Sequence, residues 1–220
     1  MSKVDRAIHG PGWGEVIFGA VLSLVLGIAI GAVLLIVKPV VVVKEPPKEP
    51  VAGTVYFVEG VRGDSAKGKQ ALAKRKALLE GQSVKVTEDE VNALASAATA
   101  PKADEKAANS VESVVTGTPN VRIRDGVMQV GVPVTVTVMG YQQKLIAQAR
   151  GGFVKRGDVF AYDPDEIFVG SCPVQRLPFI ADYLREKVLA TQKVPDDIAA
   201  AWSKLANVSI EGNTLNLAMQ

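Results

Sequence analysis

Imidazole is nearly absent from this chain: its one histidine, His9, precedes a long apolar run. Ser-His-Asp and Cys-His catalysis, His-ligated zinc and the two-His-one-carboxylate iron site all depend on that ring, so the region beyond the run cannot build them alone. The one thiol, Cys172, can neither close an intramolecular disulfide nor found a Cys-rich metal centre. Followed by Pro173 and with no base in reach, it reads as a packed thiol. Asp163-Pro164-Asp165-Glu166 gathers acids that could coordinate Ca²⁺ or Mg²⁺ or pair for acid–base work. Proline and aspartate also make turns, and the turn is the preferred reading. We therefore expect no metal, no cofactor and no enzymatic activity; chemistry on Asp163, Asp165 or Glu166 is the third-ranked reading.

Gly63-Asp64-Ser65-Ala66-Lys67-Gly68-Lys69-Gln70 fits the first part of a phosphate-binding loop, but Gln70 stands where a hydroxyl should meet Mg²⁺. A glycine-rich helix start is the simpler account. Arg62, Lys67, Lys69, Lys74, Arg75 and Lys76 form the one local excess of positive charge, and could rest on anionic headgroups at ~1 kcal/mol per cation. A solvated helix face is the preferred alternative. Overall the charges nearly cancel, 25 Lys and Arg against 23 Asp and Glu, so nothing favours nucleic acid as a partner.

The elements that must carry these groups begin with the apolar run Val16–Val37, whose only hydroxyl is Ser23. As a helix it is about 33 Å long, enough for the ~30 Å bilayer core. Trp13 at interface depth and Lys38-Pro39 at the end agree with a transmembrane helix. It is too long for a signal-peptide h-region and too uniformly apolar for a soluble core helix. Lysines and arginines flank both ends, so charge does not decide orientation. The layout of short tail (1–15), anchor (16–37), proline-rich stalk (38–53) and large domain (54–220) suits a signal-anchor with an extracytoplasmic domain. Gly19, Ser23, Gly27 and Gly31, spaced by four, form a small-residue ridge on which another helix could pack.

Beyond the stalk, whose Pro46, Pro47 and Pro50 favour a semi-rigid spacer, the pattern predicts a strand at 54–58 and a helix over 65–80 closed by Gly81. A strand at 82–86 leads to a capping box, Thr87-Glu88-Asp89-Glu90, and a helix to about Ala98. Residues 101–110 read as a surface loop. An antiparallel meander follows: 121–124, a strand alternating Val130, Val132, Val134, Val136 and Val138 with polar or small residues, then 143–154 and 159–162. Helices over 177–189 and from Pro195, with Ile198, Trp202 and Leu205 on one face, precede a hairpin of 208–210 and 215–219. The predicted class is α+β, a twisted antiparallel sheet packed with helices.

Three segments in this order, Val84-Lys-Val-Thr-Glu-Asp-Glu-Val-Asn92-Ala-Leu94, Asn120-Val-Arg-Ile-Arg-Asp-Gly126 and Glu166-Ile-Phe-Val-Gly170 with Pro173 and Leu177-Pro178, resemble the anchored YpmS-like proteins of the bacterial envelope. Such domains are similar to tubular lipid-binding folds. The resemblance covers Val84 to about Leu189, departs from the pattern at 101–110 and transfers no site residue. It implies an extracytoplasmic domain and a binding role. The expected function is a membrane-anchored, non-enzymatic envelope protein that binds a lipid or partner protein, in an apolar groove between the Val-rich sheet and the two C-terminal helices. The alternative is an accessory subunit of a membrane complex, packed through the small-residue ridge.

Overall fold

A computed structural model describes residues 12–98, 112–177 and 196–220. His9, the 101–110 loop and the expected helix at 177–189 (all but its first residue) lie outside the described residues. Helix α1, Trp13–Val37, starts at Gly12, with Glu15 in its first turn, where the helix dipole favours an acid. None of its side chains is buried, the reverse of a soluble protein's core helix. It is long and apolar enough to cross a membrane.

The stalk is more than a spacer. Val41–Val43 forms β1, pairing in parallel with β2, Tyr56–Val58, so residues 44–55 loop out between them as a strap. Phe57 of β2 is buried on the main sheet directly over Gly131, where an added Cβ would sit 2.2 Å from the ring. Gly131 is therefore a glycine because an aromatic ring occupies the place of a side chain.

Helix α2, Ser65–Leu79, opens on Asp64, whose carboxylate accepts the Lys67 N–H. It closes in a Schellman turn: Gly81, at φ 85°, donates to Leu78, and Gln82 donates to Ala77. Strand β3 (Val84–Thr87) runs into α3 (Glu88–Ala98). Half of the expected capping box forms, Glu90 accepting the Thr87 N–H at 2.8 Å, while the Thr87 hydroxyl turns to Asp89.

The main sheet is β4 (Glu112–Thr116), β5 (Asn120–Arg124), β6 (Val127–Val138), β7 (Tyr141–Arg156), β8 (Val159–Val169) and β9 (Cys172–Pro173). Strands β4 and β5 both pair with β6, along its C-terminal and N-terminal halves respectively, and β5 to β8 form the expected meander, which β9 extends. A short 3₁₀ turn, Val174–Arg176, follows. Helix α4, Asp196–Trp202, then leads into β10 (Leu205–Glu211) and β11 (Thr214–Met219), which join β3 in a separate antiparallel sheet. Leu205, expected on the helix, begins β10 and is wholly buried.

Between the two sheets and the helices lies the core. Val121, Ile123, Met128, Val130 and Phe153 of the large sheet meet Leu205, Val208, Leu215 and Leu217 of the small one, with Leu78 and Ala201 from the helices. Trp202 closes its far end, its indole N–H donating to the Phe160 carbonyl at 2.6 Å and its ring 6.0 Å from Phe153. The expected α+β class holds, with two antiparallel sheets rather than one.

The Asp163–Glu166 segment is a correction. It lies inside β8, paired with β7, and its Pro164 sits at a register shift between Arg150 and Gly151. A Cβ on Gly151 would lie 2.3 Å from the Asp163 carbonyl, so the bulge needs this glycine.

Candidate functional site

The first place where polar groups converge is the end of α1. A helix leaves its last carbonyls without partners, and here the domain supplies them. Ser171 donates its N–H to Leu35 at 3.0 Å and its hydroxyl to Lys38 at 3.2 Å, while Gln143 reaches Val37 at 3.3 Å. Gly170, at φ 59°, lies against the Ile36 carbonyl, where a Cβ would come within 2.0 Å. Lys38 also ties back to the Gly53 carbonyl at 2.5 Å. The domain is thus seated on the helix end.

The second is a buried polar cluster on α3. Asn92 pairs with β5 like a neighbouring strand, its amide donating to Val121 at 2.7 Å and its oxygen accepting the Val121 N–H at 2.7 Å. Its second donor goes to Val61 at 2.8 Å. Glu88 accepts the N–H groups of Val61 at 2.6 Å and Ile123 at 2.8 Å, and Asn120 accepts from Gly60 at 2.7 Å. These side chains close the open edge of β5. Every one of these bonds is to backbone, so the Glu88 to Asn92 segment is structural: it fastens helix, strand and loop together.

The third is a cleft of about 550 Å³ between the strap and the face of the main sheet opposite the core. Pro46, Pro47 and Pro50 form its roof. Its floor is set by register: Arg122 pairs with Gln129, Gln129 with Arg150 and Arg150 with Glu166, a row across four strands on one face. Arg124, two residues from Arg122, shares that face. A second hollow of about 440 Å³ adjoins it and shares Arg122, Arg124 and Pro46. Gln129 and Gln148 bond each other at 3.0 Å, Arg150 approaches Glu166 at 4.0 Å, and Glu59 approaches Arg62 at 3.6 Å. Arg122, only partly exposed, and Arg124 have no hydrogen bond or ion pair among the described residues.

The residues expected from sequence to act at the surface fall elsewhere. Along α2, Lys67 pairs with Asp89 at 3.1 Å, Lys74 with Glu90 at 2.7 Å, Arg75 with Asp197 at 2.9 Å and Lys76 with Glu80 at 3.8 Å. Of the six cations Lys69 alone lacks an ion pair among the described residues, so most of the local excess is neutralised within the fold. The Arg75 end lies far from the anchor: from Gln143, at the anchor, to Phe153, against Trp202 of α4, β7 extends about 33 Å. The Gly63 end of the phosphate-loop-like run packs on α3, where a Cβ would lie 2.0 Å from the Asp89 carbonyl, and the Lys67 N–H is taken by the Asp64 carboxylate.

The ridge residues Gly19, Gly27 and Gly31 have open space beside them. The three carboxylates of β8 do not converge. Asp163 pairs with Arg156 at 2.7 Å, Glu166 alone lines the cleft, and Asp165 raises the pKa of Tyr162, which burial already pushes up. The Tyr162 hydroxyl donates to the Met128 carbonyl at 2.9 Å. Cys172 is buried, which raises its thiol pKa. The expected apolar groove depends on residues 178–195, outside the described residues.

Sequence reading missed the cleft. Its signal was the alternation in Val121-Arg122-Ile123-Arg124, which puts two guanidinia on one face of a strand. No protein-family model, curated protein or solved structure matches this chain.

Proposed function

We propose that this chain is a membrane-anchored, non-enzymatic protein of the bacterial envelope, with its domain on the extracytoplasmic side, binding a lipid or a partner protein through the cleft beneath the strap. The observation that carries this reading is the seat at the end of α1. Ser171, Gln143 and Gly170 hold the sheet on the last turn of an apolar helix long enough to span a bilayer, so the cleft keeps a set position relative to the end of that helix. A cleft of about 550 Å³ is within the usual range for small-molecule sites and too small to enclose two acyl chains. The part of a lipid it suits is a headgroup. The resemblance to YpmS-like envelope proteins supports the same placement, and the absence of histidine after His9 supports binding over catalysis.

Protease added to intact cells carrying the full chain tests this. The domain should be digested without permeabilisation, and a ligand should co-purify with the detergent-extracted wild type and be lost on Arg122→Glu. Digestion only after permeabilisation, or identical extracts from the two proteins, overturns the reading.

A further inference from the structure

We propose that the cleft is a phosphate-binding site, with Arg122 and Arg124 as the groups that grip the anion and Arg150 as a third cation beside them. This deepens the function proposed above and rests on its choice of site. Around the two hollows Glu166 faces Arg150, Glu59 faces Arg62 and Glu88 takes two backbone N–H groups, while Lys44 and Glu45 of the smaller hollow have no partner among the described residues. In the larger hollow this leaves the guanidinia of Arg122 and Arg124 against one acid without a partner, Asp125, at the end of the same strand.

Arg122 is half-buried and Arg124 exposed, and neither guanidinium makes a hydrogen bond or ion pair among the described residues, so both keep their donors free. Such an arrangement suits an incoming anion. The two side chains start about 7 Å apart on one strand face, close enough for both to reach one group. A tetrahedral phosphate offers three or four oxygens, spread in three dimensions, to two forks at once, whereas a carboxylate has only two oxygens in one plane to share between them. Pro46, Pro47, Val127 and Phe168 surround the site with apolar surface, which strengthens a charge-assisted bond by lowering the local dielectric.

The phosphate could belong to a lipid headgroup or to a soluble phosphate ester. Arg150 lies seven residues along β7 from Gln143, about 23 Å from the anchor contact, while the headgroup layer is only about 5–8 Å deep. A headgroup therefore reaches the cleft only if the sheet lies along the membrane.

The test uses the full chain in phosphatidylcholine nanodiscs, titrated calorimetrically with inorganic phosphate at low ionic strength. Saturable binding should weaken about tenfold or more in Arg122→Gln and in Arg124→Gln, and Arg122→Lys, which keeps charge but loses the fork, should recover only part of it. Discs containing phosphatidylglycerol are then compared with discs carrying equal charge as oleate, which has no phosphate. Weaker phosphate binding in phosphatidylglycerol than in oleate assigns the cleft to a lipid headgroup; equal binding assigns it to a soluble ester. No saturable binding, or binding unchanged in both Gln variants, overturns the proposal. If that happens while the domain is digested from outside and a ligand still co-purifies in an Arg122-dependent way, only the phosphate assignment falls. Cytoplasmic placement with intact phosphate binding overturns the envelope reading instead.

Discussion

Asn92→Ala tests whether α3 is held to β5 by side-chain hydrogen bonds. Asn92 is 2 % exposed, and the Val121 N–H and C=O it serves are buried with it. Removing the amide strands both backbone groups at about 1–3 kcal/mol each. The vacated space adds about 0.5 kcal/mol at ~24 cal/mol per Å³. The third bond should cost little, because Val61 is 57 % exposed and water can replace the partner of its carbonyl. The expected loss is about 3–6 kcal/mol, a large share of the 5–15 kcal/mol that holds a typical domain. Urea unfolding of the full chain in detergent measures it, read from Trp202 fluorescence in a Trp13→Phe background, with an unchanged m-value required for the comparison. Ser96→Ala is the control. Its hydroxyl bonds only the Asn92 carbonyl within the same helix, at 2.8 Å, so it should shift stability by less than about 0.5 kcal/mol. A loss below about 1 kcal/mol for Asn92→Ala would refute the reasoning, because the edge of β5 would then find other partners.

Gly170→Val should unseat the domain from α1, since the Ile36 carbonyl fills the Cβ position and φ 59° is unfavourable for a branched residue. Faster hydrogen exchange at Ser171 than in wild type is the expected result, with Trp202 fluorescence unchanged. Acid should loosen the α2–α3 pairing. The Thr87 hydroxyl and Lys67 hold the Asp89 pKa below the ordinary carboxylate value; for Glu90, burial pushes the pKa up but Lys74 and the Thr87 N–H outweigh it, and the net shift is downward. Groups with a lowered folded pKa contribute stability that is full above their unfolded value near 4 and is lost as pH falls through the lower folded value. The urea midpoint should therefore drop between about pH 5 and pH 2, and Glu90→Gln should flatten that slope.

Local rules made much of this fold legible. Asp64 and Gly81 bound α2 as cap chemistry dictates, and the alternating valines identified β6, although Val130 packs against the core while Val132, Val134 and Val136 stay half-buried like Thr135 and Thr137 beside them. What escaped depended on distant partners. Strand β1 is a run of valines that becomes a strand only because β2 returns beside it, and β8 continues through Pro164 because a bulge opposite Gly151 absorbs the missing donor. The cleft failed to show for the same reason. Arg122 and Arg124 could be placed on one face of a strand, but nothing local tells that a proline strap more than seventy residues earlier in the chain roofs them.

The joint at the end of α1 also fixes an azimuth. Each step of four residues advances about 40° around a helix, so the line through Gly19, Ser23, Gly27 and Gly31 winds around the anchor and reaches Leu35 next. Leu35 is where Ser171 docks. A second helix tracking that line toward the C-terminal end of α1 would meet the β8–β9 turn. A helix packed along this line is therefore expected to cross α1 near its first turns, away from the seated domain.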